Sequence, residues 1–278
     1  MASPSRAQPA PSWEGKKYHG AFIKNEREIS YLREADRMVA NILDAVGDML
    51  KPGIKTRQIN ELALDMCSDY KVKPAFLGYN GYPFAICTSV NEEVVHGFPS
   101  ERVIEEGDIV SVDMGVEFQG FVGDAARTFP AGNVSAEALR LMQVTEDSLY
   151  VGIEQAVAGN DVFAIGAAVQ SFVEKNGFNV VRRFVGHGVG CRMHEKPEVP
   201  NFKTGVRGLT LQNGMVIAIE PMVTAGTYDV DILSDGWTAV TKDRKWAAHF
   251  EHSVAITPQG PRILSISDRG LNKHTIKA

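Results

Sequence analysis

Asp113 and Asp124 stand eleven residues apart in the stretch Asp108-Ile-Val-Ser-Val-Asp-Met-Gly-Val-Glu-Phe-Gln-Gly-Phe-Val-Gly-Asp-Ala-Ala-Arg-Thr-Phe129. The stretch reads as a β-hairpin, entered by Ile109, Val110 and Val112, left by Phe121 and Val122, with Gly120 near the turn. The midpoint between the aspartates falls between Phe118 and Gln119. Residues equidistant from a turn centre lie opposite one another on one face, with Cβ atoms about 5 Å apart. Two carboxylates so placed repel, so the pattern predicts one divalent cation, or two, between them.

Three further side chains could join such a site. Met215-Val-Ile-Ala-Ile-Glu-Pro-Met222 is an apolar strand that delivers Glu220 just before a proline, and Trp246-Ala-Ala-His-Phe-Glu-His-Ser-Val-Ala-Ile256 sets Glu251 in another. An ionised carboxylate buried without a partner is costly, so acids in such runs need a counter-charge or a metal. His187 lies in Val185-Gly-His-Gly-Val-Gly190, where glycines allow close backbone approach. Taken singly, a glutamate in a strand is more often salt-bridged, and a histidine between glycines is more often a loop residue. Four carboxylates and one imidazole in one chain argue together for a metal. The glycine run is not a dinucleotide fingerprint, since its spacing is wrong and Met193 and His194 follow where a helix should open. There is no His-Glu-x-x-His helix and no Gly-x-Ser-x-Gly elbow.

The elements that must position these groups follow from periodicity. Asn25 with Glu28 resembles a capping box. Ile29, Leu32, Val39, Ile42, Leu43, Val46 and Leu50 then recur at helical spacing until Pro52-Gly53. A shorter helix starts near Thr56 and uses Ile59, Leu62, Ala63 and Met66. Strand-like text runs from about Ala85 to Phe129. Helical periodicity returns through Leu139, Leu141, Val144 and Leu149, and again from Val162 to Val173; strands resume at Val180-Val181, Met215–Ile219 and Phe250–Ile256. Helices then strands, twice, predict an α+β fold of two structurally related halves, with an antiparallel sheet covered by helices.

The 278 residues carry a net charge of −5, which argues against a non-specific nucleic-acid binder. No apolar run approaches the length of a membrane span. The first dozen residues hold three prolines and no apolar stretch, so they read as a solvated tail and not as a secretory signal. Cys67, Cys87 and Cys191 are widely spaced and odd in number, which predicts a reduced, cytoplasmic protein.

Asp113, Asp124, His187, Glu220 and Glu251, in this order and in these contexts, resemble the metal ligands of the methionine aminopeptidases, two-metal peptidases of the pita-bread fold. The resemblance runs from about Lys24 to Ser267. It includes Asn91-Glu-Glu-Val-Val-His96-Gly-Phe-Pro99, Gly186-His-Gly-Val-Gly190, Ile219-Glu-Pro-Met222 and Gly236-Trp-Thr-Ala-Val-Thr-Lys-Asp243. Glu220 follows His194 by 26 positions, without the helical insertion of type II members, so the chain is similar to type I. Without the long zinc-binding N-terminal extension of some eukaryotic type I members in these residues, the resemblance leads one to expect a bacterial-style, stand-alone catalytic domain.

The resemblance implies a pita-bread fold of two pseudo-symmetric halves, with residues 24–267 as one catalytic domain between tails at 1–23 and 268–278. It implies two divalent ions (Mn, Fe, Co or Zn), with Asp113 on one, His187 and Glu220 on the other, and Asp124 and Glu251 bridging. By the same resemblance His194 would donate to the scissile carbonyl oxygen, His96 would bind the nearby peptide nitrogen, and Glu220 would shuttle a proton. Without it, His96 reads as a loop histidine. Tyr79, Tyr82, Cys87 and Trp237 would line a methionine pocket, supported by Phe76 and Met193, where related enzymes often carry Cys and Phe. The implied activity is removal of N-terminal methionine from nascent proteins and peptides when the second residue is small. The family's habit is a monomer with no membrane and no sequence-specific nucleic-acid partner, docking at the ribosome. Two other readings remain: an X-Pro dipeptidase or aminopeptidase P of the same fold, and a non-catalytic ribosome- or nucleic-acid-binding module. The first usually has an additional N-terminal domain, and the second typically loses ligands. A purely structural metal would favour nitrogen or sulfur ligands over this carboxylate set.

Overall fold

In the computed structural model, residues 16–270 are described. Strands β1 (Lys16–Tyr18) and β2 (Ala21–Ile23) form a hairpin turning at His19 and Gly20, both with positive φ. Part of the segment expected as a tail is therefore ordered: Ala21 is buried, and Lys17 Nζ lies 4.5 Å over the Phe22 ring. Residues 1–15 and 271–278 of the expected tails lie outside the described residues.

Helix α1 (Glu26–Met49) starts at the capping box read from the sequence: Asn25 Oδ1 accepts from the Glu28 N–H, and the Glu28 carboxylate accepts from the Asn25 N–H. Its buried stripe, including Leu32, Val39, Leu43 and Val46, faces the sheet. Each such side chain contributes about 1.5–3 kcal/mol relative to exposure. Helix α2 (Thr56–Tyr70) packs beside it. Strands β3 (Lys73–Pro74), β4 (Cys87–Val90), β5 (Glu93–Val95), β6 (Ile109–Phe118) and β7 (Phe121–Pro130) complete the first half.

The second half repeats the order. Helix α3 (Ala136–Glu154), capped by the Ser135 hydroxyl, and α4 (Phe163–Lys175) precede strands β8 (Asn179–Val180), β9 (Gly186–Gly188) and β10 (Glu195–Val199). Next come β11 (Val216–Ile219), β12 (Met222–Thr224), β13 (Val230–Ile232) and β14 (Ala239–Thr241). Strands β15 (Ala247–His249), β16 (Glu251–Thr257) and β17 (Gly260–Ile263) finish it.

The main sheet is nine-stranded and antiparallel, in the order β10-β9-β11-β16-β7-β6-β3, with β17 on β16 and β4 on β6. One apolar core lies between α1, α2 and the β4-β6-β7 side, and another between α3, α4 and the β11-β16 side. The two helix-covered halves meet at the β7–β16 pair, as the α+β reading expects.

The β6–β7 hairpin corrects one expectation. Phe118 pairs with Phe121, so the turn residues are Gln119 and Gly120, with φ of 52° and 79°, as a two-residue type I′ connection requires. The turn centre lies one residue later than the midpoint of the aspartates. Asp113 therefore faces Ala126 and Asp124 faces Gly115, which makes the aspartates diagonal neighbours on one face.

Candidate metal centre

Two rungs of the sheet gather the candidate ligands. Cys87, Asp113, Ala126 and Glu251 lie across β4, β6, β7 and β16 in direct register. Ile219 pairs with His252 and Met222 with His249, so Glu220, between β11 and β12, lies across from Glu251. The second rung is two residues away on the same face. There Gly115 faces Asp124, Ser253 pairs with Ala218, and His187 adjoins them, because Gly188 pairs with Ile217. The Ser253 hydroxyl donates to Asp124 O at 3.0 Å, closing that rung. Between the ligand-type residues stand only Gly115, Ala126, Ala218 and Ser253. Their small side chains leave open the space that larger ones would fill.

That space needs positive charge. One ligand atom each from Asp124, His187 and Glu251 falls within 4.8 Å of the others. His187 Nε2 is 3.6 Å from Asp124 Oδ2 and 3.5 Å from Glu220 Oε1. Its Nδ1 lies 3.0 Å from Gly188 O, and a carbonyl can only accept, so Nδ1 carries the proton and Nε2 presents a lone pair. Burial pushes the His187 pKa down to about 3, so the ring is neutral. A lone pair and several carboxylate oxygens then face one another, and Asp113 Oδ1, Asp124 Oδ1 and Glu251 Oε1 are buried with no hydrogen-bond partner. Desolvation pushes Asp113 up to about 7. It also pushes Asp124, Glu220 and Glu251 well above the carboxylate range, with neighbouring carboxylates adding to the rise. Divalent cations fit this donor set, which is rich in oxygen with a single nitrogen and suits Mn²⁺, Fe²⁺, Co²⁺ or Zn²⁺.

A cavity of ≈ 270 Å³ opens on this face and brings together every residue singled out from the sequence. Phe76, Tyr79, Tyr82, Cys87, Met193 and Trp237 supply its softer wall, and His96 and His194 join the five ligand candidates. The Tyr82 ring packs edge-on against Trp237 at 5.1 Å, while its hydroxyl donates to Gly97 O at 3.1 Å. The Cys87 thiol is pushed well up, by burial first and then by Asp113, and stays protonated.

His96 follows β5 in a left-handed conformation, φ 63°, with its ring against Phe184 and Trp237. Burial, helped by nearby His194, pushes its pKa down to about 4. His194 lies 4.2 Å, ring to ring, from His187, and the Tyr79 hydroxyl reaches its Nδ1. The loop carrying Met193 and His194 is tethered where Lys24 Nζ meets Glu195 Oε2 at 2.7 Å, both side chains buried.

Three neighbours escaped the sequence reading. His249 is buried 3.9 Å from Glu220 Oε2, with neither ring nitrogen hydrogen-bonded. Its position two residues before Glu251 on a strand was the available signal. Asn201 Nδ2 donates to Glu220 O at 3.0 Å, a contact with no local sequence cue. Asp36 accepts from the Asp124 N–H at 2.9 Å, and burial pushes its carboxyl up to about 8. Its signal was an acid on the apolar stripe of α1.

The family model for metallopeptidase family M24 matches residues 30–258. A methionine aminopeptidase of Clostridium acetobutylicum is 49% identical over 248 residues, covering 89% of this chain and 99% of that protein. Methionine aminopeptidase 1 of Bacillus subtilis is 46% identical, covering 88% and 98%. The crystal structure of a methionine aminopeptidase from Thermotoga maritima matches with a TM-score of 0.86 at 44% identity, covering 88% of this chain and 99% of that one. A prolidase from Pyrococcus horikoshii shares the fold, with a TM-score of 0.71 at 22% identity over 88% of this chain and 64% of its own.

Proposed function

The chain belongs to metallopeptidase family M24, among its methionine aminopeptidases, and we propose that it removes N-terminal methionine when the second residue is small. The observation that carries this reading is the two-rung cluster of four carboxylates and one neutral imidazole beside a soft, aromatic-walled cavity. Asp113, Asp124, His187, Glu220 and Glu251 would hold two divalent ions. Such ions polarise a scissile carbonyl and lower the pKa of an attacking water.

The chain's own groups do the rest. In this reading the Tyr79 hydroxyl, 2.7 Å from Nδ1 of His194, donates to it, so that the proton stays on Nε2 and the neutral imidazole donates from there to the carbonyl oxygen as charge builds. His96, kept neutral by burial, offers a ring nitrogen to the peptide nitrogen beside the scissile bond. Glu220, whose proton affinity burial raises, takes a proton from the attacking water and passes it to the leaving amine. Tyr82, Cys87 and Trp237 form the walls against the methionine side chain, with Phe76, Tyr79 and Met193 completing the pocket. The thioether suits such a soft, aromatic surface.

Residues 24–267 act as one catalytic unit in this reading, a monomer working on nascent chains in the cytoplasm. Three free cysteines agree with a reducing setting, and among the described residues no helix is long and apolar enough to cross a membrane. An X-Pro peptidase is disfavoured because prolidases share only the fold at about half the identity of the methionine aminopeptidases. The test is product analysis with Met-Ala-Ser, Met-Lys-Ser and Ala-Pro-Ser. Methionine released from the first alone is expected; alanine released from the third would overturn the reading in favour of an X-Pro enzyme.

A further inference from the structure

Ile29, Leu32, Val39, Leu43 and Val46 form the core stripe of α1, and Asp36 occupies a place in that stripe that spacing assigns to an apolar side chain. It is fully buried. Opposite it, Gly123 has no room for a side chain: a Cβ there would lie 2.4 Å from Asp36 N, so the helix backbone rests directly on β7.

The sheet parts at the same point. β7 pairs with β16 through Ala125 and Ala126, and β16 then turns to β17 from Val254 onward. Counting alternate pairs from the closing Phe118–Phe121 pair, Gly115–Asp124 is a non-hydrogen-bonded pair, so the peptide groups of Asp124 face away from β6, toward β16. With no ladder partner there, the N–H of Asp124 is taken by Asp36 Oδ1 at 2.9 Å and its carbonyl by the Ser253 hydroxyl at 3.0 Å. A buried N–H left unpaired is costly and frees the backbone to shift.

We propose that Asp36 is a positioning residue for Asp124, its carboxyl oxygen replacing the missing strand and fixing the backbone from which this ligand reaches the metal. The inference rests on the reading of Asp124 as a metal ligand. Asp36 lies outside the candidate ligand set and would act through Asp124, as outer-sphere partners do when they orient a ligand.

The test is Mn²⁺ titration of the metal-free full-length protein, followed by the spin-resonance signal of free Mn²⁺. Asp36→Asn keeps the acceptor oxygen and should bind within about threefold of the unaltered protein. Asp36→Leu removes it and should bind about 10–100-fold more weakly, with a cooperative urea transition showing that it is folded. Binding by the leucine variant equal to that of the unaltered protein would overturn the proposal, as would an asparagine variant as weak as the leucine one. If the leucine variant does not fold, exchange of the Asp124 amide decides. Slow exchange in the unaltered and asparagine proteins is expected, and exchange at the rate of an open amide overturns the tie. An unaltered protein that takes up no Mn²⁺ contradicts the proposed function instead, and the same amide exchange still judges the backbone tie.

Discussion

The Tyr79 hydroxyl stands 2.7 Å from Nδ1 of His194, and the two rings stack with centroids 5.4 Å apart. One side chain thus belongs both to the pocket wall and to the support of the imidazole proposed to donate to the scissile carbonyl. Tyr79→Phe keeps the wall and loses the hydrogen bond. Since such a bond is worth about 0.5–1.5 kcal/mol net, kcat should fall about 2–10-fold with little change in KM. His194→Ala should lower kcat about 10²–10³-fold. Steady-state kinetics beside metal analysis checks both; loss of metal from the alanine variant would make His194 a ligand.

Glu220→Gln retains size and burial but cannot carry a proton. Peptide cleavage should fall by about 10²–10⁴, with far-UV circular dichroism and the urea midpoint showing a folded protein. Near-normal turnover would remove Glu220 from the proton path.

Metal removal should make stability depend on pH, with a sign fixed by the carboxylates. In the metal-free protein Asp113 titrates at about 7 and Asp36 at about 8, against an ordinary 3.8, and Asp124, Glu220 and Glu251 lie well above their usual range. The folded state then holds more protons than the unfolded one, so stability falls as pH rises through these values. The buried histidines, held below their ordinary 6.5, oppose this only at lower pH. Urea unfolding with chelator should therefore show a steady loss of stability between about pH 7 and 8.5, flattened by added Mn²⁺. A flat chelated profile would show that these carboxyls are not held protonated in the metal-free fold.

Cys87 faces Asp113 across β4 and β6, and both burial and that carboxylate keep it a thiol. Cys87→Ala should retain kcat within about threefold, since no thiolate chemistry is lost, and iodoacetamide should modify the native protein slowly at this position. Rapid alkylation with matching inactivation would assign Cys87 a chemical role.

Much of this was legible in the sequence because periodicity and caps are local. The Asn25–Glu28 box, the stripe of α1 and the β6–β7 hairpin follow from spacing alone. The hairpin register was missed by one residue because Gln119, not only Gly120, takes a positive φ, and a glutamine there gives no warning. The order of the candidate ligands was readable; their convergence was not. Convergence depends on β11 and β16 keeping one register across the breaks at Pro221 and Phe250, which is a tertiary property. The small residues between the candidate ligands, Gly115, Ala126, Ala218 and Ser253, became meaningful only once they proved to share a face. Asp36 was visible as an acid in an apolar stripe, but its partner lies 88 positions away.

The most direct test of the central claim is methionine release from Met-Ala-Ser by the metal-stripped protein as Mn²⁺ is returned in increments. No release is expected without metal, and release should rise and saturate as metal fills the Asp113, Asp124, His187, Glu220 and Glu251 cluster. Full release by the stripped protein, unchanged by added Mn²⁺, would contradict it.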